Sequence, residues 1–379
     1  MSFSGQAAYD TYTSEGARSV SNLVRIVGLD DVPFLNALGD ADYPVTNIMH
    51  EWQDHKTWYA TDTVNDSGAF AAADTTLTVT DGTKFRAKMI IRIDEELIYV
   101  STVATHNLTV IRGFGGTADA EHADGSTIYI QSHPQLEGSE WGDNAYTITP
   151  TQNYNYTQII KHDVQISGSE MAMATTGAPG GKAKLNLELE KATRYALRQL
   201  ERSVIAGGRR ASSPQGSSAL TRTLGGLHEF VTSSTDASTA ALSESTHLDV
   251  AIQAIRELGG RPDMILAGTW AGIGLSRLQT PHRRAENSDG RIMRSVNMYD
   301  HVLVPGGMQI IVSEHCRPNE LYVLDSTEIF VRPLQGRSFS YVEGAKTGDY
   351  EGGWIVGEYT LEVQNSGTHH YRIYGLATS

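Results

Sequence analysis

Few residues in this sequence have types and spacings that bear on chemistry. His50-Glu51-Trp52-Gln53-Asp54-His55 gathers two imidazoles and two acids in six positions, the makings of a zinc-hydrolase site. The zinc pattern H-E-x-x-H sets its histidines one helical turn apart on one face. Here they stand five apart, about 140° away from each other on a helix, so an aromatic and polar loop is the expected reading. Gly113-Phe114-Gly115-Gly116-Thr117-Ala118 fits the loose dinucleotide pattern G-x-G-x-x-A. That pattern works where a strand enters a helix whose N-terminus holds pyrophosphate; here Asp124-Gly125 is already the next turn. Gly177-Ala178-Pro179-Gly180-Gly181-Lys182 approaches a phosphate loop, but Thr176 replaces the first glycine and Ala183 offers no hydroxyl for magnesium. It reads as a hinge entering a helix.

The remaining candidates do not converge either. His369-His370 and Glu95-Glu96 are adjacent pairs, and adjacent strand residues face opposite sides. No G-x-S-x-G elbow occurs. Cys316 beside His315 has the makings of an activated thiol, yet a lone cysteine after the apolar run Ile310 to Val312 is expected to be packed. No acid–base or nucleophilic constellation emerges. The expectation is a protein with no catalytic residues, no cofactor and no metal, and not an enzyme.

The 379 residues allow two or three domains. Thirty basic against 44 acidic residues give a formal charge of −14, which argues against sustained binding to a nucleic-acid backbone and suits a wall that encloses nucleic acid without adhering to it. One cysteine excludes a disulfide framework and any multi-cysteine metal site. The first residues have neither a basic start nor a long apolar run, and no stretch is long and apolar enough for a membrane span, so no signal peptide and no membrane association are expected.

The elements that would position these residues follow from periodicity. Residues 1–46 read as a polar arm with aromatics at Tyr9 and Tyr12, a short helix over Ser19 to Val27, and a proline-initiated turn at Asp31-Val32-Pro33-Phe34-Leu35. Residues 75–130 alternate with period two and are punctuated by Asp81-Gly82, Gly113, Gly115, Gly116 and Gly125; about five strands, a small barrel or sandwich, are expected there as an insertion. Its flanks, Asp62 to Gly68 and Ser132 to Gly142, read as loose and polar. Asn153 to Ile166 reads as one long strand, roughly 46 Å extended, with Tyr154, Tyr156, Ile160, Val164 and Ile166 on one face. Lys182 to Ala206 is the strongest helix. Leu185, Leu189, Ala192, Ala196, Leu200 and Val204 form its stripe, Lys191, Arg194, Arg198, Glu201 and Arg202 its wet face, and Gly207-Gly208 its stop. After a Ser- and Thr-rich loop over 209–245, a helix from Leu248 to Leu258, capped by Thr246, opens an α/β unit of about 246–340 with strands at Met264 to Leu266, Val302 to Val304, Met308 to Val312 and Leu321 to Val323 and a helix at Trp270 to Leu278. Strands at Trp354 to Val363 and His370 to Leu376 close the chain.

This layout resembles a known family, and the resemblance is carried in order along the chain. The residues are Tyr9-Asp10-Thr11-Tyr12, Asp31-Val32-Pro33-Phe34-Leu35, Thr46-Asn47, His50-Glu51-Trp52-Gln53, Tyr156-Thr157-Gln158-Ile159 leading to Ile166-Ser167-Gly168, Gly225-Gly226-Leu227, Lys346-Thr347-Gly348-Asp349 and Gly357-Glu358-Tyr359-Thr360-Leu361-Glu362-Val363. They are similar to segments of tailed-bacteriophage major capsid proteins of the Hong Kong 97-type fold, in the SU-ten-like branch. Residues 75–130 depart from that pattern, since shorter relatives lack them.

The resemblance implies an α+β fold with an N-terminal arm (1–46), an extended loop (47–155) carrying the inserted β domain (75–130), a peripheral domain (156–245) holding the helix 182–206, an axial domain (246–345), and final strands (346–379) returning to the peripheral domain. It implies self-assembly of many copies, as hexamers and pentamers, into an icosahedral head shell that encloses double-stranded DNA without specific binding. Portal protein and scaffold or decoration proteins would be further partners, the virion capsid the location, and the host cytoplasm the place of assembly. Tyr9, Tyr12, Phe34, Trp52, Trp58 and Trp141 are the candidates for inter-subunit contact. Two other classes stand beside this reading: a tail-tube or decoration protein, which would form tubes or trimers, and a carbohydrate-binding or hydrolytic protein, which would use Trp141 or Trp270 and the abundant carboxylates.

Overall fold

Apolar side chains that alternate along short segments can be buried only if those segments pair and turn one face inward. The chain does this twice, in separate units: residues 55–150, and residues 1–54 together with 151–379. A computed structural model describes residues 32–39, 43–54, 61–138, 150–172, 181–210, 220–278, 298–346 and 348–378. The sequence-predicted helix at Ser19 to Val27 and the hinge at 177–180 lie outside them.

In chain order the strands are β1 (Met49–Asp54), β2 (Thr61–Thr63), β3 (Thr76–Thr78), β4 (Ile90–Ile93), β5 (Glu96–Ala104), β6 (Asn107–Ile111), β7 (Thr127–Ser132), β8 (Thr151–Tyr156), β9 (Gln158–Ser167), β10 (Ser234–Asp236), β11 (Met264–Ala267), β12 (Met298–His301), β13 (Val304–Val312), β14 (Leu321–Leu324), β15 (Ile329–Pro333), β16 (Ser340–Glu343), β17 (Tyr350–Val363) and β18 (Tyr371–Tyr374). The longer helices are Gly181–Ala206, Asp249–Glu257 and Thr269–Leu278.

The unit 55–150 is a small barrel. Its six strands run β2-β7-β4-β5-β6-β3, and an antiparallel bridge between Val64 and Val79 joins the two ends of the sheet. Asn65 N–H donates to Thr78 O at 2.9 Å and Thr80 N–H to Thr63 O at 3.2 Å, so the edges are paired. Phe70, Leu77, Phe85, Met89, Ile91, Ile98, Leu108 and Ile128 fill the interior. The sequence predicted about five strands and a polar flank over Asp62 to Gly68. That flank instead supplies β2 and the closing bridge, because Asp62 and Val64 are buried while Thr63 and Asn65 are exposed. The Asp81-Gly82 turn is a 3-10 turn, with Asp81 Oδ1 accepting the Thr83 amide at 3.0 Å. A Cβ on Gly82 would lie 1.7 Å from Thr105 O, so only glycine fits there.

The other unit has two main sheets. A mixed six-stranded sheet runs β10-β18-β14-β11-β13-β12, and β17 pairs with β9, β15 and β16. All four residues of β11 and all four of β14 are buried. Met264, Leu266, Tyr322 and Leu324 face one core, Ile265, Ala267, Leu321 and Val323 a second, so this sheet has a core on each side. The first core packs it against the helix Gly181–Ala206, the second against Asp249–Glu257 and Thr269–Leu278.

Several expectations are corrected. The long strand over 153–166 is two strands that break at Thr157, whose amide donates to Ile48 O at 2.9 Å. The buried face changes there too. Ile160, Val164 and Ile166 point inward as predicted, but in β8 the buried residue is Asn155, not its tyrosine neighbours. In the helix Gly181–Ala206, Ala192, Ala196, Leu200 and Val204 are buried as predicted, and so is Glu201, which was placed on the wet face. The helix at 249–257 follows a π turn, Glu244–Leu248, rather than a Thr246 cap. Residues 302 and 303 are the turn between β12 and β13, not a strand. Strands β15 and β16, which the sequence reading did not pick out, pair with β17, and β18 joins the sheet of β11 and β14.

Candidate functional site

The segment His50 to Asp54 is a strand, not a loop, and its alternation directs His50, Trp52 and Asp54 one way and Glu51 and Gln53 the other. Trp52 is buried in the first core, its ring 5.6 Å from Phe230 and its Nε1–H donating to Val363 O at 3.1 Å. Phe34, which follows the helix-starting Pro33, is fully buried in the same core. Both rings are therefore covered by this chain's own residues. Tyr9, Tyr12, Trp58 and Trp141 lie outside the described residues.

The buried charges are organised as structural ion pairs that tie distant strands. Glu362 accepts from His50 Nε2 at 2.8 Å and Arg332 Nε at 2.6 Å. Burial alone would raise its carboxyl; the His50 and Gln364 hydrogen bonds and the Arg332 charge override that and hold it at about 2. Glu358 takes Arg222, Arg337 at 3.0 Å and the Thr157 hydroxyl at 2.6 Å. Asn155 donates to Leu361 O at 2.7 Å and Gly225 O at 3.0 Å and accepts the Gly225 amide at 2.8 Å, which fastens the Gly225-Gly226 turn to β17. Glu96 in the barrel takes both Arg112 Nε and Nη2 at 2.7 Å and His122 Nε2 at 3.0 Å.

The other motifs resolve the same way. Gly113 to Gly116 is a left-handed and 3-10 turn, with no helix after it to hold a pyrophosphate. Cys316 is buried, and its thiol is pushed up to about 12 by burial first and the Glu320 charge second. His369 and His370 were expected not to converge, yet both come to Glu328: His369 Nδ1 lies 2.8 Å from Oε1, and the buried His370, whose Nδ1 accepts the Asp325 amide at 3.3 Å, has Nε2 3.9 Å from Oε2. Sequence reasoning did not find the group that His369 joins, in which ligand atoms of Asp325, Glu328 and His369 lie within 4.8 Å of one another.

Exposed apolar side chains are the other functional feature. Val302, at the turn between the edge strand β12 and β13, is 96 % exposed, and Leu303 beside it is exposed as well. A groove of about 300 Å³ runs between β9 and the helix Gly181–Ala206, lined by His162, Gln165, Glu188, Lys191 and Tyr195 among others, and Ile159, Leu187 and Tyr195 are exposed on these two elements. No helix among the described residues is long and apolar enough to cross a membrane.

No curated protein matches the chain. A solved structure from Mycobacterium phage Adephagia is 10 % identical, with 99 % of each chain covered and a TM-score of 0.44. One from Gordonia phage Cozz is 14 % identical, covering 66 % of this chain and 80 % of that one, with a TM-score of 0.42. A chain of the cyanophage A-1(L) capsid asymmetric unit is 11 % identical, covering 64 % of this chain and 85 % of that one, with a TM-score of 0.42. The sequence model of the SU10 major capsid protein family matches residues 4–377, and with that match over nearly its whole length this chain belongs to the SU10 major capsid protein family of tailed-phage head-shell subunits.

Proposed function

We propose that copies of this chain assemble as hexamers and pentamers into an icosahedral shell around a double-stranded DNA genome, and that the chain catalyses no reaction. The single observation that carries this is the family match over residues 4–377, which spans both units rather than one module. The formal charge of −14 supports a wall that DNA does not adhere to. Exposed apolar groups at Val302 and Leu303, and beside the groove at Ile159, Leu187 and Tyr195, supply surface that neighbouring copies would cover. Each such contact can be modest, because a closed lattice adds them at high effective concentration.

Within this reading, residues 1–46 are an arm and 47–155 an extended loop carrying the barrel. Residues 156–245 with β17 form a peripheral domain, and 246–345 an axial domain. Strand pairing supports assigning β15 and β16 to the peripheral part and β18 to the axial part. Tyr9, Tyr12, Trp58 and Trp141 remain proposed contact residues. A portal protein, and scaffold or decoration proteins, are proposed partners, and the host cytoplasm is the proposed place of assembly. Electron microscopy of the purified recombinant protein tests the reading. Closed particles are expected, and a monodisperse monomer, tubes or trimers would count against it.

A further inference from the structure

Between the mixed sheet and the β17 sheet the chain passes twice at one place. From β14 to β15 it runs through the 3-10 turn Ser326–Glu328, and from β17 to β18 through residues 364–370. The passages are bonded to each other: Gln364 N–H donates to Glu328 O at 2.9 Å and Asn365 Nδ2 to Glu328 Oε1 at 3.0 Å. Here Asp325, Glu328 and His369 bring their ligand atoms within 4.8 Å of one another. His369 Nε2 lies 3.3 Å from Leu258 O, a carbonyl that can only accept, so Nε2 carries the proton. Nδ1 then faces Glu328 Oε1 and Oε2 at 2.8 and 2.9 Å. A metal-binding histidine takes this disposition, one ring nitrogen fixed on a carbonyl and the other turned to the ion.

A second observation lies behind the cluster. Asp54, at the end of β1, is only 7 % exposed, and its Oδ1 has no hydrogen-bond partner. Its Oδ2 takes Asn153 Nδ2 at 2.5 Å. Burial pushes this carboxyl up, the Asn365 amide and Asn153 side chain only partly offset that, and the negative charges of Glu328 and Glu362 push it further up. Among the described residues no cation pairs with Asp54. A buried carboxyl that feels the charges of two further carboxylates and no cation lacks the positive charge that would stabilise it.

We propose that Asp325, Glu328 and His369 bind a divalent first-row cation, Zn2+ or Mn2+, with Asp54 as the acid behind the site. An imidazole with two carboxylates suits these ions, whereas Ca2+ and Mg2+ prefer oxygen alone. The ion would replace the His369–Glu328 hydrogen bond with coordinate bonds from each, and any proton on Nδ1 would leave to solvent. Because its ligands lie on both passages, the ion would lock the two sheets together.

The test uses the full chain, stripped with EDTA and titrated with Mn2+ followed by electron paramagnetic resonance and with Zn2+ followed by calorimetry. Saturable binding that survives excess Mg2+ and raises the melting temperature is expected. Glu328→Gln and His369→Gln should abolish it, and Asp54→Asn should weaken it on the order of 10- to 100-fold. No saturable binding to the wild type overturns the proposal, as does binding unchanged in the folded variants, which would place the ion on surface carboxylates. Should Glu328→Gln not fold, His369→Gln and Asp54→Asn decide by the same criteria. None of these readouts depends on shell formation.

Discussion

Glu201 of the helix Gly181–Ala206 accepts the Ser313 hydroxyl at 2.5 Å, across 112 positions of sequence, and both residues are fully buried. The Leu35 amide reaches the same carboxyl at 3.4 Å. One acid thus joins the helix, the segment after β13 and the short helix Pro33–Leu38. Removing it strands two buried donors, so Glu201→Ala should cost about 1–3 kcal/mol. Burial raises the Glu201 carboxyl, more than its hydrogen bonds lower it. A raised folded value means that its contribution to stability is full below the unfolded value, about 4.3, and is lost as pH rises through the folded one. Glu201→Gln has no proton to lose. Urea unfolding at about pH 4 and about pH 8 should therefore show the glutamine variant gaining on the wild type at the higher pH. A difference that does not move with pH would refute the assignment.

In the barrel the sign is reversed. Glu96 is buried, which alone would raise its carboxyl, but Arg112, His122 and the amides of Ala120 and Gly113 outweigh that and hold it at about 2. A depressed folded value gives stability that is present above the unfolded value and fades as pH falls from about 4.3 toward the folded one. Arg112 also donates to Ala71 O at 2.7 Å and lies over the Phe70 ring at 4.2 Å, so the pair holds the loops on both sides of it. Glu96→Ala leaves a buried guanidinium unpaired and should cost about 3–5 kcal/mol. Hydrogen exchange over residues 112–122 is the direct measurement, and protection equal to that of the wild type would disprove the role.

How much of this was legible in the sequence depends on whether a residue's environment is set by near neighbours. The stripe Ala192, Ala196, Leu200 and Val204 repeats within one helix and was readable. Glu201 was not, because a charge reads as solvated unless its partner is known, and Ser313 is far away in sequence. The strands β3 to β7 announce themselves by alternation. The strand β2 is Thr-Asp-Thr, and only closure of the sheet makes it a strand. Asn153 to Ile166 alternates without interruption, so its break at Thr157 is a tertiary effect: Glu358 takes the Thr157 hydroxyl and Ile48 its amide. Asp325, Glu328 and His369 sit on two different passages, and no local spacing joins them.

Cys316 gives a simple chemical test of the packing of the mixed sheet against the first core. It is buried, and its thiol lies far above neutrality at about 12, so the reactive thiolate is scarce in the folded protein. A disulfide reagent at mildly alkaline pH should leave the native protein unlabelled and label it fully in urea. Stoichiometric labelling of native protein would show that the region between β13 and β14 is open.

The barrel should fold without the rest of the chain. Its core residues, from Val64 to Ile128, all come from within 55–150, and the Val64–Val79 bridge leaves it without a free edge to be covered. The chain enters and leaves at one point, since Asp54 pairs with Thr151 across β1 and β8. Paired strand residues are about 5 Å apart, so joining Asp54 to Thr151 through a short glycine-serine turn adds little closure entropy to the remainder. Two chains test this. A peptide of residues 55–150 should melt cooperatively, and Leu108→Ala within it should cost about 2–5 kcal/mol, the loss from a filled core. The complementary chain, with a turn in place of the barrel, should keep its own unfolding transition. If the peptide is unfolded while the complementary chain folds, the barrel depends on contacts outside residues 55–150, and the interior assigned to it is not sufficient to hold it.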